Sequence, residues 1–104
     1  MIEYLTAKLN ASSWRGCVSE VGVGIPFSAK YVSIPGASKT ILHIDSPYAG
    51  IDKPSNIRAV SLENAKRIAH ANLLKATLHV AHTDHSNQQH LFGLAITGAH
   101  YPKR

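Results

Sequence analysis

Trp14-Arg15-Gly16-Cys17-Val18-Ser19-Glu20-Val21-Gly22-Val23-Gly24-Ile25-Pro26 is the stretch that decides the fold. Its small and β-branched residues over 14–23 read as a buried strand, and a strand running into glycines and then a proline predicts a turn into a helix. Pro26 suits the first helical turn, where its missing N–H removes no bond, so 27–32 predicts a short helix closed by Pro35-Gly36. Upstream, Ile2, Leu5 and Leu9 recur every three or four positions and predict an amphipathic helix ending near Asn10-Ala11-Ser12-Ser13. Downstream, 39–46 is β-rich and apolar at its centre, a second strand ending at Pro47-Tyr48-Ala49-Gly50. A loop or broken helix follows to Arg58. Ser61 then opens the strongest helix, with Leu62, Ala65, Ile68, Ala69, Asn72, Leu73 and Ala76 tracing one face. After a polar segment, 91–96 predicts a third buried strand ending at Thr97-Gly98. Helices alternating with strands that are apolar on both faces predict an α/β domain: a three-layer sandwich whose small, largely parallel central sheet is covered by helices.

Composition bounds the rest. The chain has 104 residues, 44% hydrophobic and 16% charged. It therefore folds as one domain over 1–104, with fewer charges than the roughly 25% usual in soluble domains. A formal charge of +5, with seven His in reserve, favours anionic partners. Lys and Arg are scattered rather than clustered, and aromatics make up only 7%, so specific nucleic-acid binding is not predicted. Cys17 is the single cysteine, which excludes an internal disulfide and a cysteine-only zinc site and fits a reducing compartment, so a cytoplasmic location is expected. Residues 1–20 hold no continuous apolar run, and nothing approaches the ~18 apolar residues of a membrane span, so neither a signal peptide nor a membrane role is predicted.

In parallel sheets ligands bind outside the carboxyl ends of the strands. Three turns collect there: Gly22-Val23-Gly24, Pro47-Tyr48-Ala49-Gly50 and Thr97-Gly98-Ala99. Glycine lets backbone approach a phosphate, and a helix start offers free N–H groups to it. Glu20, in a buried strand, is paired, at the strand's mouth, or functional, because an unpaired buried carboxylate is costly. Lys53 beside Tyr48 offers a point charge for a phosphate, or is an ordinary surface lysine. His79, His82, His85 and His90, with Asp84, have zinc-type chemistry, but a His-rich polar loop needs no metal, and neither metal nor cofactor is predicted.

The order of these turns resembles the C-terminal domain of CinA-type proteins, the nicotinamide-nucleotide amidases. That family has a strand carrying Glu-Ser-Cys-Thr-Gly-Gly, a Pro-Gly-Ser-Ser turn, a strand leading to Ser-Tyr-Ser-Asn-x-x-Lys, a helix opened by Ala-Val-Ser, and a strand ending Gly-Leu-Ala-Val-Thr-Gly. Here Ile34-Pro35-Gly36-Ala37-Ser38 is similar to the turn, Tyr48 and Lys53 keep the Tyr-to-Lys spacing, and Ala59-Val60-Ser61 opens the helix. Gly93-Leu94-Ala95-Ile96-Thr97-Gly98 closes the series. A relative of this domain, fused to nucleotidylyltransferases, looks closer still in 35–42 and in Pro102-Lys103-Arg104.

The resemblance implies a nucleotide-sized pocket, a place in pyridine-nucleotide metabolism, and ligand contacts from Glu20, Gly22, Gly24, Ser38, Tyr48, Lys53, Thr97 and Gly98. It also implies a domain shortened on its C-terminal side. Counting back from Pro35 sets Glu20 on the family's Glu but Val21 on its catalytic Ser, with Gly22 on the Cys and Gly24 on a Gly. Valine cannot be a nucleophile. Ser19 is one position away and points to the other side of the strand.

The reading adopted is therefore a module that binds or sequesters a nucleotide or phosphorylated nucleoside derivative, having lost the amidase serine. Its alternatives are an active NMN amidase using Ser19, Tyr48 and Lys53, and a scaffold with a vestigial pocket. A homo-oligomer is expected, because three strands leave sheet edges open.

Overall fold

A computed structural model describes residues 2–22, 26–46, 53–83 and 90–98. Helix α1 (Ile2–Asn10) leads into strand β1 (Trp14–Val21); α2 (Pro26–Val32) and a single 3₁₀ turn (Ala37–Lys39) lead to β2 (Ile41–Asp45); α3 (Leu62–Thr83) returns to β3 (His90–Thr97). The sheet is entirely parallel, in the order β2-β1-β3. The decisive stretch is thus the central strand. It pairs with β3 along its whole length, from Trp14 opposite His90 to Val21 opposite Thr97. With β2 the register slips between Gly16 and Cys17, so that Ile41 faces Gly16 but His43 faces Cys17.

Partnered residues in parallel strands share a face, and successive residues alternate. Val18, with Ile44 and Leu94, therefore looks one way, while Ser19, with Asp45 and Ala95, looks the other. On the first face Val18 is buried with Tyr31 of α2, Ala37 and Ile41, and Leu9 of α1 packs against them. On the second face α3 lies across β1 and β3. Gly93 makes that approach possible, because a Cβ there would overlap the backbone of Ala69 and Leu73 in the helix. The α/β three-layer expectation holds, in a small version.

Local differences have local causes. The first strand ends at Val21 rather than 23 because Gly22 turns to φ +86°, outside the extended region. The second begins at Ile41 rather than 39 because the Lys39 and Thr40 amides bond back to the Gly36 and Ala37 carbonyls at 2.9 and 3.0 Å, winding a 3₁₀ turn. The buried stripe of α3 is more polar than its leucines suggest: Asn64, Asn72 and Ala76 are buried, whereas Leu62 is 70% exposed.

Candidate functional site

Glycines do bring strand ends together where the sequence placed its ligand turns. The Gly98 amide donates to the Val21 carbonyl at 2.9 Å. A Cβ on Gly22 would overlap the Gly98 carbonyl and lie 3.3 Å from the Val60 side chain, so three segments meet at the carboxyl end of the sheet. Thr97 donates its hydroxyl to the Ser61 carbonyl at 3.2 Å, which ties β3 to the start of α3. Ser61 caps that helix: its Oγ accepts from the Asn64 amide at 3.1 Å and donates to the Arg58 carbonyl at 2.8 Å. Fully buried Asn64 donates to the Ala59 carbonyl at 2.7 Å and accepts from the Arg67 guanidinium at 2.9 and 3.1 Å.

Two expected ligand contacts are thus engaged inside the protein, the Thr97 hydroxyl and the Gly98 amide. Glu20 is 1% exposed, on the Val18 face of β1, so its carboxyl is not presented to solvent. Lys53 is half-buried, in the connection that leaves β2 and reaches Ser61. Tyr48 and Gly24 lie outside the described residues. Ser38 precedes β2 and so stands at the opposite, amino end of the sheet; five strand residues at ~3.3 Å each separate the two ends.

A polar chain that the sequence did not reveal runs between α3 and the sheet. Asn72 Nδ2 donates to Ser19 Oγ and to the Leu94 carbonyl, both at 3.0 Å. Ser19 in turn donates a short hydrogen bond to the Asp45 carboxylate. The other Asp45 oxygen lies 3.8 Å from His43 Nε2 at the half-exposed rim. Nucleophilic serines need a base on their hydroxyl, with the carboxylate behind it. Here the carboxylate sits in the middle, and Ser19 is 2% exposed with its hydroxyl engaged on both sides. This arrangement locks a helix to a sheet. Cys17, also fully buried on this face, has its thiol pushed up by burial; Lys75 draws it partly back and Asp45 adds to the rise. The one signal in the sequence was Asn72, set on the apolar stripe of α3 between Ala69 and Ala76, where an amide is kept only if bonded.

Among the histidines, His90 stacks on Trp14 with ring centroids 4.9 Å apart and hydrogen-bonds Ser13 at 2.8 Å. His79 and His82 lie on the exposed side of α3, and His85 is outside the described residues. Among the described residues no three His, Cys, Asp or Glu side chains gather as a metal site.

No protein-family model matches this chain, and no curated protein or solved structure is significantly similar to it. The likeness to CinA-type domains therefore rests on the short motifs alone.

Proposed function

We propose that this domain binds a nucleotide or another phosphorylated nucleoside derivative over the carboxyl ends of its strands, without amidase chemistry. One observation carries the reading: β1 and β2 are neighbours, yet the chain leaving β1 packs its helix on the Val18 face and the chain leaving β2 packs its helix on the Ser19 face. Connections that depart to opposite faces leave a crevice above adjacent strand ends, the usual ligand position in open parallel sheets. The connection from β2 to α3 carries Lys53 and Arg58 and ends in Val60 and Ser61 at the strand ends, and Arg67 is held in the first turns of α3 by Asn64. These charges suit a phosphate.

The amidase alternative has less support, because fully buried Val21 stands where the family has its serine and Ser19 is engaged on both sides. Calorimetry against NMN, NAD, ADP-ribose and cyclic nucleotides tests the binding reading. A saturable heat with at least one of them is expected, together with no ammonia release from NMN. No heat with any of them removes it, and ammonia release lost in Ser19→Ala replaces it with the amidase.

A homo-oligomer is the second reading, supported by Leu74 and Leu78, 57% and 53% exposed one turn apart on the outer side of α3. Sedimentation equilibrium tests it: a concentration-dependent mass reduced by Leu74→Glu is expected, and a strict monomer counts against it. A cytoplasmic site belongs to the same proposal, supported by the buried free thiol of Cys17; among the described residues no helix is long and apolar enough to cross a membrane.

A further inference from the structure

β3 closes the sheet on the side away from β2, and among the described residues no strand pairs with its outer side. The two edges of the sheet differ in kind. β2 is five residues long, slips its register against β1 and carries Asp45, all features that discourage further pairing. β3 is eight residues long and keeps one register with β1 throughout, and residues 90–98 hold no Lys, Arg, Asp or Glu. On a chain with a net charge of +5, it is an edge where two copies meet without setting cation against cation.

The ladder fixes which groups this edge offers. The His90 amide donates to the Ser13 carbonyl at 3.1 Å and the Gly98 amide to the Val21 carbonyl at 2.9 Å. Bonding alternates along a strand, so the even-numbered residues of β3 turn their N–H and C=O groups to β1, and Leu91, Gly93, Ala95 and Thr97 turn theirs to the open side. The side chains leave an apolar strip beside that edge. Phe92, Leu94 and Ile96 share the Val18 face, yet Val18 is 0% exposed and its register partner Leu94 is 37% exposed, so the cover over the central strand thins out at β3. On the other face, the missing Cβ of Gly93 lies against Leu73 N and Cα, so the flank of α3 that carries Leu73 sits over β3. Leu62 lies three turns earlier on the same stripe, and both leucines are exposed.

We propose that β3 pairs antiparallel with β3 of a second copy, about a two-fold axis at Leu94, to make one continuous six-stranded sheet. What argues for a second copy is that the strand complements itself. Centred on Leu94, Leu91 stands opposite Thr97 and Gly93 opposite Ala95, so every outward-facing residue falls in a hydrogen-bonded pair. Leu94 then meets Leu94 and Phe92 meets Ile96 in the closer, non-bonded pairs, an aliphatic pair flanked by aromatic and β-branched ones. The same axis sets the two α3 helices antiparallel, with the Leu62 and Leu73 flank of each toward the other. The proposal rests on the homo-oligomer reading but places this contact on β3, apart from Leu74 and Leu78.

Hydrogen exchange of the full chain, followed by amide NMR across a concentration series, tests it. The amides of Leu91, Gly93, Ala95 and Thr97 should slow at least about tenfold as the chain associates, while those of Phe92, Leu94 and Ile96, already bonded to β1, change little. Cross-linking fixes the register. Leu94→Cys sets two thiols opposite each other with Cα atoms about 4.5 Å apart, within the span of a disulfide, and should give a covalent dimer with oxidised glutathione. His90→Cys, on the same strand but opposite Gly98 of the second copy, should not, and neither should the parent, whose Cys17 is fully buried. Association that leaves the odd-numbered amides unprotected, or that links His90→Cys as readily as Leu94→Cys, overturns the proposal and leaves the contact through Leu74 and Leu78 standing. A strict monomer at about 1 mM removes both.

Discussion

Asn72 holds α3 to the sheet by spending one amide on two acceptors, Ser19 Oγ and the Leu94 carbonyl. Both lie under a helix with few large buried side chains, so their loss is not offset by packing. Replacing Asn72 with Ala should cost about 2–3 kcal/mol, through the orphaned acceptors and the space left behind. A lower urea midpoint at unchanged slope checks this. Ser19→Ala should cost about 1–2 kcal/mol by stripping Asp45 of its donor, and rim substitution of His43 by Gln should change stability by less than about 1 kcal/mol, since that pair is half in water. Cys17 adds a pH signature. Its thiol is raised by burial above the ordinary 9.0, so the unfolded chain loses this proton first as pH rises. The folded state then binds more protons, and stability falls above pH 9 with a slope of at most about 1.4 kcal/mol per pH unit from this group. Urea melts of Cys17→Ala should show a shallower decline between pH 9 and 10 than the parent, and equal declines would contradict the burial account.

At the scale of elements, Gly93 sets how closely α3 meets β3. A methyl group there overlaps helix backbone, which cannot rotate away as a side chain can. Gly93→Ala should therefore cost about 3 kcal/mol or more, the upper end of overpacking penalties, and show as loss of soluble folded protein or a collapsed urea midpoint. Much of this level was legible in the sequence. The run from Trp14 into glycines and Pro26 identified the central strand and the helix after it, and Ser61 marked the start of α3, because capping and strand chemistry are local. What stayed hidden depended on partners far along the chain. Nothing near Leu62 says that Asn64 will turn inward to brace Ala59 and Arg67, and nothing near Asn72 names Ser19. For the site, the meeting of Gly22 with Gly98 was legible as a cluster of turns, but the spending of the Thr97 hydroxyl on Ser61 was not, since hydroxyls at strand ends serve ligands and neighbouring loops equally well. Ser38 was assigned to the ligand set by motif order alone, and chain order carries no distance: it stands at the other end of β2.

Among the described residues, the molecule is a central strand with one partner on each side and a helix layer on each face, and the chain carries a net charge of +5. Its charge is a scattered background that favours anions, and Lys53 and Arg58 bring two of those charges into the connection between β2 and α3. Nucleotide binding over the carboxyl ends of the strands rests on that connection. Amide NMR of the labelled chain, titrated with NMN, NAD and ADP-ribose, tests it most directly because it reports binding and place together. Saturable shifts at Gly22, Lys53, Arg58 and Gly98 are expected with at least one ligand, weakened about tenfold by Lys53→Glu. Unchanged spectra with every ligand, or shifts confined to residues away from the strand ends, would contradict it.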